Sequence, residues 1–311
     1  MIHNFLVCLN AVIPLVLYLV VGMLVRKYSV LTEKDVRKFN KMVFVVFFPA
    51  LMFENLYSAD ISEAFDGRLI LFACLFVLAV CGITWGIVVR MDIPDRTRGA
   101  MIQAVYRSNF ILMGLPVAEN IYGCVSVTAA LIMFVVPLYN FLAVIVLEYF
   151  RGGRANLKSV LKKILTNPII LGAVAAILAL ALNISVPSAV NKTISGMCDA
   201  TTPIAMILLG ASFNKSSVHA GKKNLTICVL ARLVIVPAIG LGIAAVLGVR
   251  DVALVSLIAM MAAPPAVSSY TMAEAMDSDG ELAGNAVIFA TPLSCVTIFL
   301  WLFLFKSLGM F

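Results

Sequence analysis

Ten apolar stretches, each about as long as a bilayer is thick, dominate this sequence and leave it few folds to choose from. They lie at roughly residues 5–25, 40–57, 68–90, 99–118, 124–149, 167–183, 194–213, 225–248, 252–275 and 284–305. A helix crossing hydrocarbon needs about 20 predominantly apolar residues, and in lipid only helices or closed barrels satisfy every backbone polar group. The pattern predicts an all-α polytopic membrane protein with ten transmembrane helices. Composition agrees, since 62% of the 311 residues are hydrophobic, 13% are charged, and mean hydropathy is +1.06. No ordinary soluble globule has that balance. The opening run lacks a basic n-region and continues to Val25, so it reads as a first spanning helix rather than a cleavable signal. The longest polar connection, about Phe150 to Asn167, is too short for a soluble domain and predicts a basic helix at the membrane surface.

The formal charge of +7 does not point to nucleic acid, because the basic residues fall in short loops between apolar runs. Arg26, Lys27, Lys34, Arg37, Lys38 and Lys41 fill one loop, and Arg90, Arg96 and Arg98 another. Arg151, Arg154, Lys158, Lys162 and Lys163 fill a third, and Lys215, Lys222 and Lys223 a fourth. Only Arg68, Lys192, Arg250 and Lys306 fall on the opposite side. By the positive-inside rule the four basic loops are cytoplasmic and both termini lie outside the cytoplasm, which predicts a multi-pass protein of the cytoplasmic membrane. One loop dissents: Met276 to Glu281 should be cytoplasmic yet carries Asp277, Asp279 and Glu281.

Prolines reveal an internal repeat. Pro14, Pro49 and Pro137 are separated by 35 and 88 residues, and Pro168, Pro203 and Pro292 by 35 and 89, an offset of 154 or 155 throughout. Phe134-Val135-Val136-Pro137-Leu138 also matches Phe289-Ala290-Thr291-Pro292-Leu293. Residues 1–150 then form one five-helix repeat and residues 151–311 a second. Because five is odd, the second copy is inverted, a recurrent plan of secondary transporters.

Two apolar segments in corresponding places are interrupted. The fourth holds Arg107-Ser108-Asn109 and then Gly114-Leu115-Pro116, and the ninth holds Ala263-Pro264-Pro265-Ala266-Val267-Ser268-Ser269. Paired breaks of this kind are the best sequence pointer to a transporter's binding site, and the repeat makes them symmetry mates that meet near the midplane. A helix restarting at mid-membrane presents backbone N–H groups and partial positive charge, which suits a carboxylate. The candidate substrate site comprises Arg107, Ser108, Asn109, Gly114, Pro116, Pro264, Pro265 and Ser268, with a hydroxyl from Ser269. Arg107 has two readings, a partner for a substrate carboxylate or a side chain reaching the cytoplasmic edge. Asn140, beside Pro137, either completes the polar pocket or bridges helices. Asp199, with Thr202 close by, is the candidate for a coupling proton or cation, against a shallow, hydrated position. Glu54 and Arg232 are further charges within apolar runs.

Enzyme chemistry has little support. His3 and His219 are far apart in span order, no HExxH, GxSxG or P-loop motif occurs, and no cofactor is expected. The cysteines at 8, 74, 81, 124, 198, 228 and 295 show neither CxxC pairs nor zinc spacing and read as small buried hydrophobes.

Over nearly its whole length the chain resembles the auxin efflux carrier family, which includes plant PIN proteins and bacterial malonate or malate permease-like proteins. The matching elements are Ile13-Pro14 with Gly22 and Arg26, then Asn40 and Phe48-Pro49-Ala50-Leu51. Arg107-Ser108-Asn109 with Gly114-Leu115-Pro116, Asn167-Pro168, and Thr202-Pro203 with Leu209-Gly210-Ala211 follow. Arg232-Leu233 with Pro237, and Ala263-Pro264-Pro265-Ala266, complete the order. The resemblance implies two inverted five-helix repeats with crossed, broken fourth and ninth helices. It also implies carriage of a small organic anion by elevator-like movement, often in a homodimer. It assigns carboxylate contact to Asn109. The PIN ninth-helix pattern differs from Pro264-Pro265, which favours a small aliphatic mono- or dicarboxylate over an indole acid. Proton coupling, sodium coupling and uniport all stay open. A membrane-embedded anion sensor or accessory subunit, and a sodium/bile-acid-symporter-type carrier, are the alternatives.

Overall fold

The computed structural model describes residues 2–58, 66–122, 125–151, 157–214, 218 and 221–311. Cys124, Arg154, Lys215 and His219 lie outside the described residues. No strand occurs among the described residues, and the chain is a succession of helices. α1 is Ile2–Lys27, α2 Glu33–Tyr57, α3 Gly67–Val89, α4 Asp95–Tyr106, α5 Phe110–Tyr122 and α6 Ser126–Arg151. α7, Leu157–Leu165, is the short basic helix expected in the long polar connection. Then come α8 (Pro168–Ala181), α9 (Ser188–Ser212), α10 (Lys222–Val246), α11 (Asp251–Ala262), α12 (Ser268–Ala275) and α13 (Gly280–Ser307).

Among the described residues, six helices, α2, α3, α6, α9, α10 and α13, are long and apolar enough to cross a membrane. The fourth and ninth apolar segments are not continuous helices. Each is a pair, α4–α5 and α11–α12, broken where the sequence places its polar and proline residues. The segment expected at 167–183 is a 14-residue helix, α8. It rises about 21 Å, less than a hydrocarbon core of about 30 Å.

Local chemistry sets the helix ends. Thr32 and Asp35 form a reciprocal capping box at the start of α2. Asp66 Oδ1 accepts from Arg68 and Leu69 N–H at the start of α3, and Asn167 Oδ1 from Ile169 N–H, with Pro168 in the first turn of α8. Two helices widen into a π turn, Val43–Phe47 in α2 and Ala231–Ile235 in α10, each two residues before a proline. Pro237 has no N–H to give the Leu233 carbonyl, and the Trp301 indole N–H takes that place at 3.2 Å.

α1 packs along α9, and α2 along α8. Small residues permit the approach. A Cβ on Gly22 would fall 2.0 Å from the Ile207 carbonyl oxygen, and one on Gly210 2.1 Å from that of Leu19. In lipid such close backbone contact is a main source of helix association. Cys81, Cys228 and Cys295 are buried apolar packing groups, as expected.

The acidic loop after α12 sits against the basic loops. Arg96 donates to the Asp277 and Ser278 carbonyls at 2.8 and 3.2 Å, and Arg151 pairs with Asp277 at 2.6 Å. Asp279 accepts from Thr97 Oγ1 through one oxygen and caps α13 through the other. The loop whose charge dissented therefore shares a face with the basic loops, and its acidity pairs with their excess.

Candidate functional site

α4 stops because Arg107 leaves the helical region (φ −87°, ψ 130°), followed by Ser108 and Asn109, whose side chains compete with helical hydrogen bonding. α11 stops at Ala263 (φ −64°, ψ 151°), which precedes Pro264 and is pushed extended by its ring. The two breaks lie against each other, the Asn109 backbone N–H donating to the Pro264 carbonyl at 2.8 Å. Side chains brace the second break from the first half of the chain. Gln103 Nε2 donates to the Ser269 carbonyl and Asn40 Nδ2 to that of Thr271, both at 3.0 Å. The sequence reading gave neither residue this role, although Asn40 is among the residues that carry the resemblance; the available signal for Gln103 was a lone amide within an apolar run.

A cavity of about 480 Å³ opens beside the crossing. Its floor is the first break with the start of α5, namely Arg107, Ser108, Asn109, Phe110, Ile111 and Leu112, together with Ala266, Val267 and Ser268. Asn140 and Tyr139 of α6 close one side, and Asp199, Thr201 and Thr202 of α9 another. Eight expected site residues thus meet in one place: Arg107, Ser108, Asn109, Pro116, Asn140, Asp199, Thr202 and Ser268. Three do not line it. Gly114 is buried against α6, where a Cβ would meet the Phe110 ring at 2.7 Å and Thr128 Cγ2 at 3.1 Å. Pro264 takes part through its carbonyl, and Pro265 shapes the break. Ser269 is fully buried and also off the cavity wall. Asn10 and Asn55, which the sequence reading passed over, line it.

Arg107 is 2% exposed, so its side chain is buried within the protein rather than extended to an exposed edge. Its guanidinium donates to Asn140 Oδ1, to Ser268 Oγ at 2.6 Å, and toward the Met272 thioether sulfur at 2.9 Å. Asn140 in turn donates to the Val136 carbonyl at 3.0 Å, which fixes its amide orientation. Among the described residues no carboxylate pairs with Arg107; the cation has only neutral partners, one of them a weak sulfur acceptor. Asn109, 9% exposed, has an amide nitrogen with no hydrogen-bond partner among the described residues. An unpaired buried donor beside a buried cation without a counter-ion is costly and calls for an acceptor. Among the described lining residues Arg107 is the one cation and Asp199 the one carboxylate. Glu54 lies outside the cavity wall, accepting from Ser58 and Ser195 hydroxyls at 3.1 and 2.9 Å.

The sequence pattern of the membrane transport protein family matches residues 7–155 and 150–302. The chain belongs to this auxin efflux carrier-type family. It is 25% identical over 296 residues to an uncharacterized transporter of Methanothermobacter thermautotrophicus, covering 94% of this chain and 96% of that protein. A transporter of Methanocaldococcus jannaschii, also uncharacterized, is 20% identical over 300 residues, covering 94% and 97%. The protein is thus a multi-pass membrane transporter. The cavity residues of α2 (Phe48 to Asn55) and α5 lie in the parts of their helices away from the basic loops, and those of α1 (Asn10 to Tyr18) and α9 lie near the middles of theirs. A second cavity, of about 390 Å³, lies on the basic side, lined by Arg26, Arg37, Ser212, Tyr270 and Glu274 among others.

Proposed function

We propose that this transporter is a secondary carrier moving a small organic anion, a mono- or dicarboxylate, across the cytoplasmic membrane by alternating access. One observation carries the reading: a buried arginine without a counter-ion and a buried amide without an acceptor face one cavity at the start of a broken helix. Arg107 supplies the charge, and Asn109 Nδ2 and Ser268 Oγ supply directional hydrogen bonds. The first amides of α5, which have no intrahelical partner, add partial positive charge. About 480 Å³ is within the range of small-molecule pockets, and the remaining wall is largely apolar.

Two cavities on opposite sides of the crossing, each bordered by α1, α2, α9 and the α12 segment, support alternating access. They also support two inverted five-helix repeats, α1 to α6 and α8 to α13, with α4–α5 and α11–α12 as the crossing pairs. The repeat exchanges α1 with α8 and α2 with α9, so it maps the α1–α9 packing onto the α8–α2 packing, and both occur. An offset of 154 carries Asn55 and Pro116 of the first cavity onto Leu209 and Tyr270 of the second. In this reading both termini face outward and the cavity is open to the outside. Asp199, exposed on the cavity wall with Thr202 nearby, is the proposed coupling-ion group, for a proton or sodium. The homodimer is carried by the resemblance alone, and cross-linking in native membranes tests it.

The decisive experiment is uptake of labelled small carboxylates into proteoliposomes, with and without sodium and at two pH values, beside thermal-shift binding to the purified protein. A bound ligand raises the melting temperature by mass action. Binding with counterflow supports the carrier. Binding without any flux replaces it with an anion sensor, and strictly sodium-dependent binding favours the bile-acid-symporter type. No binding by any carboxylate overturns the anion assignment.

A further inference from the structure

Arg232 is the second buried arginine at the crossing, 1% exposed, and the substrate site makes no use of it. It belongs to the π turn of α10. Its Nε donates to the Ala263 carbonyl and one terminal nitrogen to that of Met260, both at 2.8 Å. The other terminal nitrogen lies 3.2 and 3.3 Å from the Val105 and Tyr106 carbonyls. These oxygens belong to the last turn of α4, the last turn of α11 and the residue just after it. One guanidinium thus ties both helices at the ends where they break. The contrast with Arg107 is plain, since Arg232 spends four of its five N–H donors on backbone carbonyls and does not line the cavity.

The charges match as well. A helix C-terminus carries about half a negative charge, so two of them face one unit of positive charge. Without that cation, an anion in the cavity would meet the negative ends of α4 and α11 as well as the positive ends of α5 and α12. We infer that Arg232 is the positioning and specificity-determining residue of the site: its charge locks the two broken ends together and cancels their negative poles, leaving a field that favours anions. This rests on the carboxylate-carrier reading for its consequence in binding, but the locking of the two ends stands apart from it.

The test compares full-length wild type with Arg232→Lys, which keeps the charge, and Arg232→Gln, which keeps donors but not charge. Two readouts are taken. One is hydrogen exchange at residues 105–110 and 260–269. The other is thermal-shift affinity for propionate and malonate against their neutral amides. Arg232→Gln is expected to speed exchange in both segments together and to weaken carboxylate binding about tenfold or more, with amide binding held within about twofold. Arg232→Lys is expected to keep the exchange pattern and the carboxylate preference near wild type. A residue that merely fills space would lower carboxylate and amide affinity alike and gain nothing from lysine. Unchanged exchange in either segment of Arg232→Gln, or a lysine variant as impaired as the glutamine one, overturns the inference. If wild type takes no probe, the carboxylate reading fails, and exchange alone decides for or against Arg232. If Arg232→Gln does not fold, a folded lysine variant with wild-type exchange supports the charge lock, and an unfolded one refutes it.

Discussion

Asn109→Ala separates function from stability in a way few substitutions at a buried polar position do. Asn109 is 9% exposed, and its amide nitrogen has no partner among the described residues. The backbone N–H that joins the two breaks remains after substitution, because the bond to Pro264 uses only main-chain atoms. Truncation widens a cavity that Asn109 already lines and makes no new closed void, so the usual cavity penalty is small. Removing an unsatisfied buried donor relieves a cost of about 1–3 kcal/mol. The substrate-free variant is therefore expected to melt at the wild-type temperature or above it. Binding moves the other way. A hydrogen bond to a charged acceptor contributes about 1.5–3 kcal/mol, so carboxylate affinity should fall roughly 10- to 150-fold. Melting curves of purified protein with and without carboxylate read both quantities in one assay. A variant that melts several degrees lower while binding as tightly as wild type would refute the reasoning, since Asn109 would then be a packing residue.

Other substitutions test the packing described above. Gly210→Ala places a methyl 2.1 Å from the Leu19 carbonyl oxygen, and because rigid backbone must yield, at least about 1–3 kcal/mol of stability should be lost; a wild-type melting temperature would disprove the close α1–α9 contact. Trp301→Phe removes the donor that serves the Leu233 carbonyl, so about 1–3 kcal/mol should be lost in reversible denaturation, provided no water takes over. Asp277→Asn breaks an ion pair whose side chains are 68% and 32% exposed, so its effect should stay within about 1 kcal/mol and shrink with added salt. A large, salt-independent loss would mean that the loop clamps more than its surface contacts indicate.

The breaks were legible because lipid makes them so. A run of apolar residues that must stay helical in hydrocarbon cannot hide Ser108-Asn109 or Pro264-Pro265, and the structure interrupts both helices there. Arg107, Asn109 and Ser268 stand beside those breaks and were legible for the same reason, and they meet Asn140 of α6 in one cavity. The prolines misled in detail. Their rings mark where a helix stops without saying that Pro264 contributes a carbonyl and Pro265 no wall. The surroundings of Arg232 left no trace, because its partners are backbone oxygens, and any sequence supplies those. The π turns were equally silent. Pro49 and Pro237 announce a disturbed helix, but a kink and a widened turn look the same in sequence. The length of α8 was overestimated because the apolar run continues past Ala181 into the residues that follow the helix.

The bonds at the crossing also set an order for the protein's biogenesis. Val105 and Tyr106 are made long before Arg232, and Asn109 long before Pro264, yet each needs the later residue as its partner. A nascent chain that has delivered only its first half to the bilayer holds a severed helix whose carbonyls and amide have no native acceptor or donor. Hydrocarbon does not tolerate that state, so water, the insertion machinery or a second unfinished chain must shelter the gap until translation has passed α11 and Pro264. The binding site does not mature with either half. It comes into existence only when the later segment closes onto the earlier one.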